Sequence, residues 1–150
     1  MVHCPTSPRW VFGVLLLAVS GAMATEPGQG DSSTKMTDDK ISQLLVGKWT
    51  VNDKNDKGRK VEGTLCYKID GTFEAGATIS EGDKSLKFTL SGTWKVSEGV
   101  LIDTVTKTSV PSWIEEGHVS KDRVISINEN EFKYQREIGG QEIIRKRIAG

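Results

Sequence analysis

Residues 61–79 read VEGTLCYKIDGTFEAGATI. Val61, Gly63, Leu65, Tyr67 and Ile69 fall on one face of an extended chain, with Glu62, Thr64, Cys66 and Lys68 on the other. This period of two is the mark of a β-strand with one buried face. Asp70-Gly71 then supplies the chemistry of a tight hairpin turn, where both central residues must tolerate positive φ. Phe73, Ala75, Ala77 and Ile79 resume the apolar face on the return strand. The stretch is thus an antiparallel hairpin, and the rest of the chain repeats its pattern.

Downstream, Glu81-Gly82-Asp83 makes a second turn. Leu86, Phe88, Leu90, Gly92, Trp94 and Val96 then give the longest clean alternation in the chain. Ser97-Glu98-Gly99 turns into a β-branched segment, 100–108, that is less cleanly sided. Pro111 interrupts, and 111–121 reads as a loop or short helical turn carrying Trp113. Three short strands follow at 123–128, 131–136 and 141–148, the last two joined by Gly139-Gly140. Upstream, Trp49 and Val51 alternate with Lys48, Thr50 and Asn52 to give the first strand. Before it, Thr37 is placed to cap a two-turn helix with Asp38 and Asp39 in its first turn. Ile41, Leu44 and Leu45 form its apolar face, and Gly47 can end it.

The expected fold is therefore all-β: eight antiparallel up-and-down strands at roughly 8–12-residue spacing, after one short N-terminal helix. A sandwich would satisfy the same pattern, but closure into a barrel is favoured because it removes exposed edges. One internal echo is present. Residues 45–51 and 90–96 share L-x-G-x-W-x-V. Either a duplication produced it, or each segment pairs a glycine that admits another backbone with a tryptophan that plugs the core; the second reading is preferred.

Ahead of this domain, residues 1–24 have the three parts of a cleavable secretory signal. Arg9 is the only fixed charge before an apolar run over residues 10–19, and Ala22-Met23-Ala24 places small residues where signal peptidase reads. The run is well short of the ~20 residues of a membrane span. Cleavage after Ala24 predicts a periplasmic or secreted protein with no membrane span in its mature chain. Residues 25–36, rich in Gly, Ser and polar groups, read as a flexible mature N-terminus, and 37–150 as the domain. Cys4 leaves with the leader, so Cys66 is expected as the single mature cysteine, without an intrachain disulfide or a thiolate metal site. Its strand phase places it opposite the apolar face, beside Lys68. The charged residues balance, 20 basic against 20 acidic. This gives no footprint for nucleic acid.

A short helix running into Gly47-x-Trp49, followed by an eight-stranded meander, resembles the lipocalin and calycin group, and in particular the short lipocalin-like domains of exported bacterial proteins. The likeness spans about 42–148. It implies that Trp49 closes one end of the barrel and that Arg145 or Arg147, in the last strand, stacks on its ring. The family's second and third motifs and its common disulfide are not seen.

Candidate sites follow from these faces. Tyr67, Phe73, Phe88 and Trp94 share the apolar face of three successive strands; they either fill the core or line the pocket of a small apolar or amphipathic ligand. Small residues at 63, 75, 76, 77 and 92 favour an interior with room. A rival is a protein-binding module, an inhibitor or envelope partner, acting through the loop with Trp113, Ile114 and Val119 as apolar anchor. His118, beside Glu115 and Glu116, is the only mature histidine and reads as an exposed loop residue. The Asp53–Gly58 run has a superficial likeness to a calcium loop, but its ligand spacing is wrong. No nucleophile–base constellation, metal set or phosphate-cradling motif occurs, so neither catalysis nor a cofactor is expected.

Overall fold

The structure, a computed structural model, describes residues 35–54 and 58–150. The leader and most of the N-terminal stretch lie outside them. One helix, α1 (Asp38–Leu45), precedes eight strands: β1 (Gly47–Lys54), β2 (Lys60–Tyr67), β3 (Thr72–Glu81), β4 (Lys84–Ser97), β5 (Val100–Thr108), β6 (Val119–Ile127), β7 (Glu131–Arg136) and β8 (Glu142–Lys146). Each strand pairs antiparallel with the next in a single sheet of order β1 to β8. The sheet curls until its ends meet. Trp49 and Arg147 form an isolated bridge, and the Ile148 amide donates to the Lys48 carbonyl at 2.8 Å. The result is a nearly closed up-and-down barrel, as the alternation predicts.

Helix α1 begins where Thr37 caps it, its hydroxyl accepting from the Lys40 amide at 3.3 Å. Asp38 does more than complement the helix dipole. Its two carboxylate oxygens accept from the Glu98 and Gly99 amides, each at 2.8 Å, and so tie the helix to the β4–β5 turn. Ile41 and Leu45 are buried beneath it. The helix stops at Leu45, and Gly47 opens β1 with φ of 138°.

The packed core occupies the end of the barrel that α1 covers. Leu45, Trp49, Tyr67, Leu101 and Phe132 are its largest fully buried side chains, joined by Ile41, Phe73, Ile127 and Tyr134. Apart from Ile41 and Leu45 of α1 and Tyr134 midway along β7, these residues stand towards the starts of odd-numbered strands and the ends of even-numbered ones, which share one end in an up-and-down barrel. Trp49 and Phe132 meet with ring centroids 5.9 Å apart, and Phe132 stacks on Tyr134 at 4.8 Å.

The two halves of the sequence echo each solve a local crowding problem. A Cβ on Gly47 would lie 2.1 Å from Nη1 of Arg147, and one on Gly92 would lie 1.9 Å from the Thr104 carbonyl oxygen, beside a β-bulge. Trp49 donates from Nε1 to the Leu45 carbonyl at 2.8 Å, and Trp94 to the Lys68 carbonyl at 3.1 Å.

Four local expectations are corrected. At Asp70-Gly71 only the glycine has positive φ, because the hairpin closes through a longer turn in which the Lys68 amide donates to the Thr72 carbonyl at 2.8 Å. At Glu98-Gly99 and at Gly139-Gly140 both residues take positive φ. Strand β6 starts at Val119, so residues 119–121 belong to the sheet and not to the preceding loop. Cys66 is fully buried and is not a free thiol, although its phase sets it opposite the apolar face. Ile69, placed on the apolar face by its phase, lies in the turn and is 87% exposed.

Candidate functional site

Beyond the core, towards the end opposite α1, the barrel holds a cavity of about 510 Å³. That is the size range of small-molecule sites. Its walls differ in character. Strands β2, β3 and β4 contribute Val61, Leu65, Phe73, Ala75, Ala77, Ile79, Phe88 and Leu90, with Tyr67 the single polar-tipped residue among them. Strands β5 to β8 contribute Asp103, Val105, Ser120, Asp122, Tyr134, Arg136 and Arg145, and β1 adds Val51, Asp53 and Lys54 across the seam. A molecule filling this space meets hydrocarbon on one side and most of the cavity's charged groups on the other.

The polar wall is built on one buried ion pair. Arg145 is 3% exposed. Its Nη1 and Nη2 donate to the two carboxylate oxygens of Asp53 at 2.8 and 2.9 Å, a bidentate contact, and Nη2 also donates to the Tyr134 hydroxyl at 2.9 Å. Arg136 approaches the same carboxylate at 3.5 Å. The pair also bridges β1 and β8 where their backbones do not pair.

Asp103 lies deeper, on β5. Its Oδ2 accepts from the Tyr67 hydroxyl at 2.8 Å, while its buried Oδ1 has no hydrogen-bond partner. Burial pushes its pKa up to about 7, Asp122 adding to the rise and the Tyr67 bond opposing it. Burial also raises Asp122, against the pull of Arg136 and Arg145. The Tyr67 hydroxyl is driven well above its ordinary value by burial and by Asp103, so it remains a proton donor.

The Asp103 shift is a statement about stability. The folded carboxyl keeps its proton up to about pH 7, whereas the unfolded one loses it near ~3.9. Its contribution is therefore full below about pH 4 and lost as pH rises through 7. Asp103→Asn keeps an acceptor for Tyr67 and removes the charge. It is expected to stabilise the protein by roughly 2 kcal/mol above neutrality and by nothing near pH ~4, read from urea unfolding across that range.

Of the aromatic candidates, Tyr67, Phe73 and Phe88 line the cavity. Trp94 does not; it packs edge-on against Tyr67, with ring centroids 5.3 Å apart. At the barrel end, the Arg147 guanidinium lies 4.2 Å from the Trp49 ring centroid, whereas Arg145 faces Tyr134 and Asp53. Trp113 is 53% exposed, but Ile114 turns inward and lines the cavity, so the loop does not present the two together. His118 stands exposed at the cavity mouth. Of the Asp53–Gly58 run, residues 55–57 lie outside the described residues, and Asp53 is committed to Arg145. Among the described residues no group of three or more His, Cys, Asp or Glu side chains is arranged to hold a metal ion, and no helix is long and apolar enough to cross a membrane.

The acidic members of the site, Asp53, Asp103 and Asp122, were not singled out from sequence as lining an interior. One signal was there: Leu101, Asp103 and Val105 share a strand phase, which sets a carboxylate on an otherwise apolar inner face. No family model matches the chain, and no curated protein does.

Proposed function

We propose that this chain is an exported, lipocalin-like barrel that binds a small amphipathic molecule in its interior and does not act as an enzyme. The two-sided cavity of about 510 Å³ carries the reading. A protein that needed only stability would fill such a space, since each unfilled interior volume forfeits packing energy. The short helix, Gly47-x-Trp49 and the stacked Arg147 add the lipocalin likeness.

The test is occupancy. A fluorescent apolar dye should bind the folded protein, and Ala77→Phe, which projects a ring into the cavity from β3, should weaken binding at least about tenfold, or roughly 1.4 kcal/mol. Unaltered dye affinity in that variant would place binding elsewhere and remove the reading. Export has its own readout. Expressed with its leader in a secreting host, the processed protein should begin at Thr25; a chain retained at full length in the cytoplasm would overturn that part.

A further inference from the structure

The polar wall restricts the chemistry of what the cavity can take. Partner accounting shows how. Both oxygens of Asp53 are occupied by Arg145. Asp103 has one oxygen on the Tyr67 hydroxyl and the other without a partner. Asp122 lines the same cavity, and its carboxylate accepts no hydrogen bond from a described residue; Arg136, its direct partner on β7, and Arg145 offset part of its charge without bonding to it. The two carboxylates are neighbours by register. Asp103 pairs with Ser120 and Leu101 with Asp122, so Asp103 and Asp122 are diagonal partners on the inner face of β5 and β6. Such partners are close enough for one small group to touch both.

Asp103 and Asp122 are thus short of bonded donors although Arg136, Arg59 and Lys54 share the cavity, and the shortage faces the apolar wall. Two like charges so placed raise each other's cost, and a cation between them relieves both. An anionic head group placed at Asp103 and Asp122 would meet like charge. Three of the five N–H groups of Arg145 are committed to Asp53 and Tyr134, so the cations an anion would turn to are chiefly Arg136, Lys54 and Arg59, which also line the cavity.

We propose that the ligand is an organic cation, an amphipathic amine whose ammonium group is held by Asp103 and Asp122 while its hydrocarbon lies on β2, β3 and β4. This rests on the binding reading above, and the experiment separates the two. Octylamine, octanol and octanoate share one chain length and differ only in head group. Each is titrated against the full chain at about pH 8, above the point where Asp103 loses its proton. Octylamine should bind about tenfold or more tighter than octanol, the value of a charge-assisted hydrogen bond, with octanoate weakest. In Asp122→Asn, and independently in Asp103→Asn, the ratio of amine to alcohol affinity should fall towards one, with thermal unfolding used to verify that each variant folds. Equal binding of amine and alcohol, tightest binding of octanoate, or an unchanged ratio in both variants overturns the cation assignment and leaves the binding reading standing. Failure of all three probes to bind overturns the binding reading, and the assignment falls with it.

Discussion

Trp49→Ala is expected to cost about 3–5 kcal/mol, the range for deleting a fully buried large aromatic. The ring is 0% exposed, and three separate contacts end when it goes. Its Nε1 no longer donates to the Leu45 carbonyl at the end of α1. Phe132 loses its tilted partner. Arg147 loses the aromatic face beneath its guanidinium, a contact worth ~0.5–2 kcal/mol depending on desolvation. Arg147 matters beyond that contact. Its guanidinium also donates to the Leu44 and Val46 carbonyls, groups that the end of a helix leaves without partners. The tryptophan therefore supports the device that fastens α1 to the last strand. Chemical denaturation measures the loss directly. A change below about 1 kcal/mol would show that the barrel end is held without the ring.

Arg145→Met is expected to cost about 3 kcal/mol, the lower end of the range for breaking a buried pair by removing one partner. The lower end applies because the Asp53 side chain is 20% exposed and Arg136 stands 3.5 Å away, so the abandoned carboxylate is partly relieved. The cost arises from the stranded charge more than from the lost attraction. Adding Asp53→Asn to Arg145→Met should consequently restore much of the stability, and the coupling energy of that cycle reads the pair itself. Simple additivity of the two single changes would contradict this account.

The sequence made the barrel legible because most of its strands bury one apolar face. In 61–79 and 86–96 the alternation is clean, and β2, β3 and β4 are found there. It is least clean where the inner face lines the polar wall. The start of β6 reads Val-Ser-Lys-Asp-Arg, and its inward residues are Ser120 and Asp122. A reading that counts apolar residues sees no strand there, since the face that should be hydrophobic bounds a charged cavity. The same reason hid Asp103 and Asp122 as a pair: they are brought together by register across β5 and β6 and not by spacing along the chain. Trp94 shows the converse limit. Its phase puts it on the ring-bearing face, but Gly92 beside the β4–β5 bulge and the bond to Lys68 seat it against Tyr67, off the cavity. Cys66 shows a further limit: it is fully buried although the alternation assigns it to the polar face of β2.

The division of the barrel into a packed end and a hollow one gives it a modular tolerance to change. Val61, Ala75, Ala77, Ile79 and Phe88 face the cavity and stand outside the tightly packed cluster around Trp49. Substitutions at sites about 7–10 Å or more apart with no shared partners contribute independently to stability. The hollow end can accordingly drift in shape, and so in what it accepts, while the helix-capped end keeps the fold. A library randomised at those five positions should yield mostly folded barrels with diverging ligand preferences.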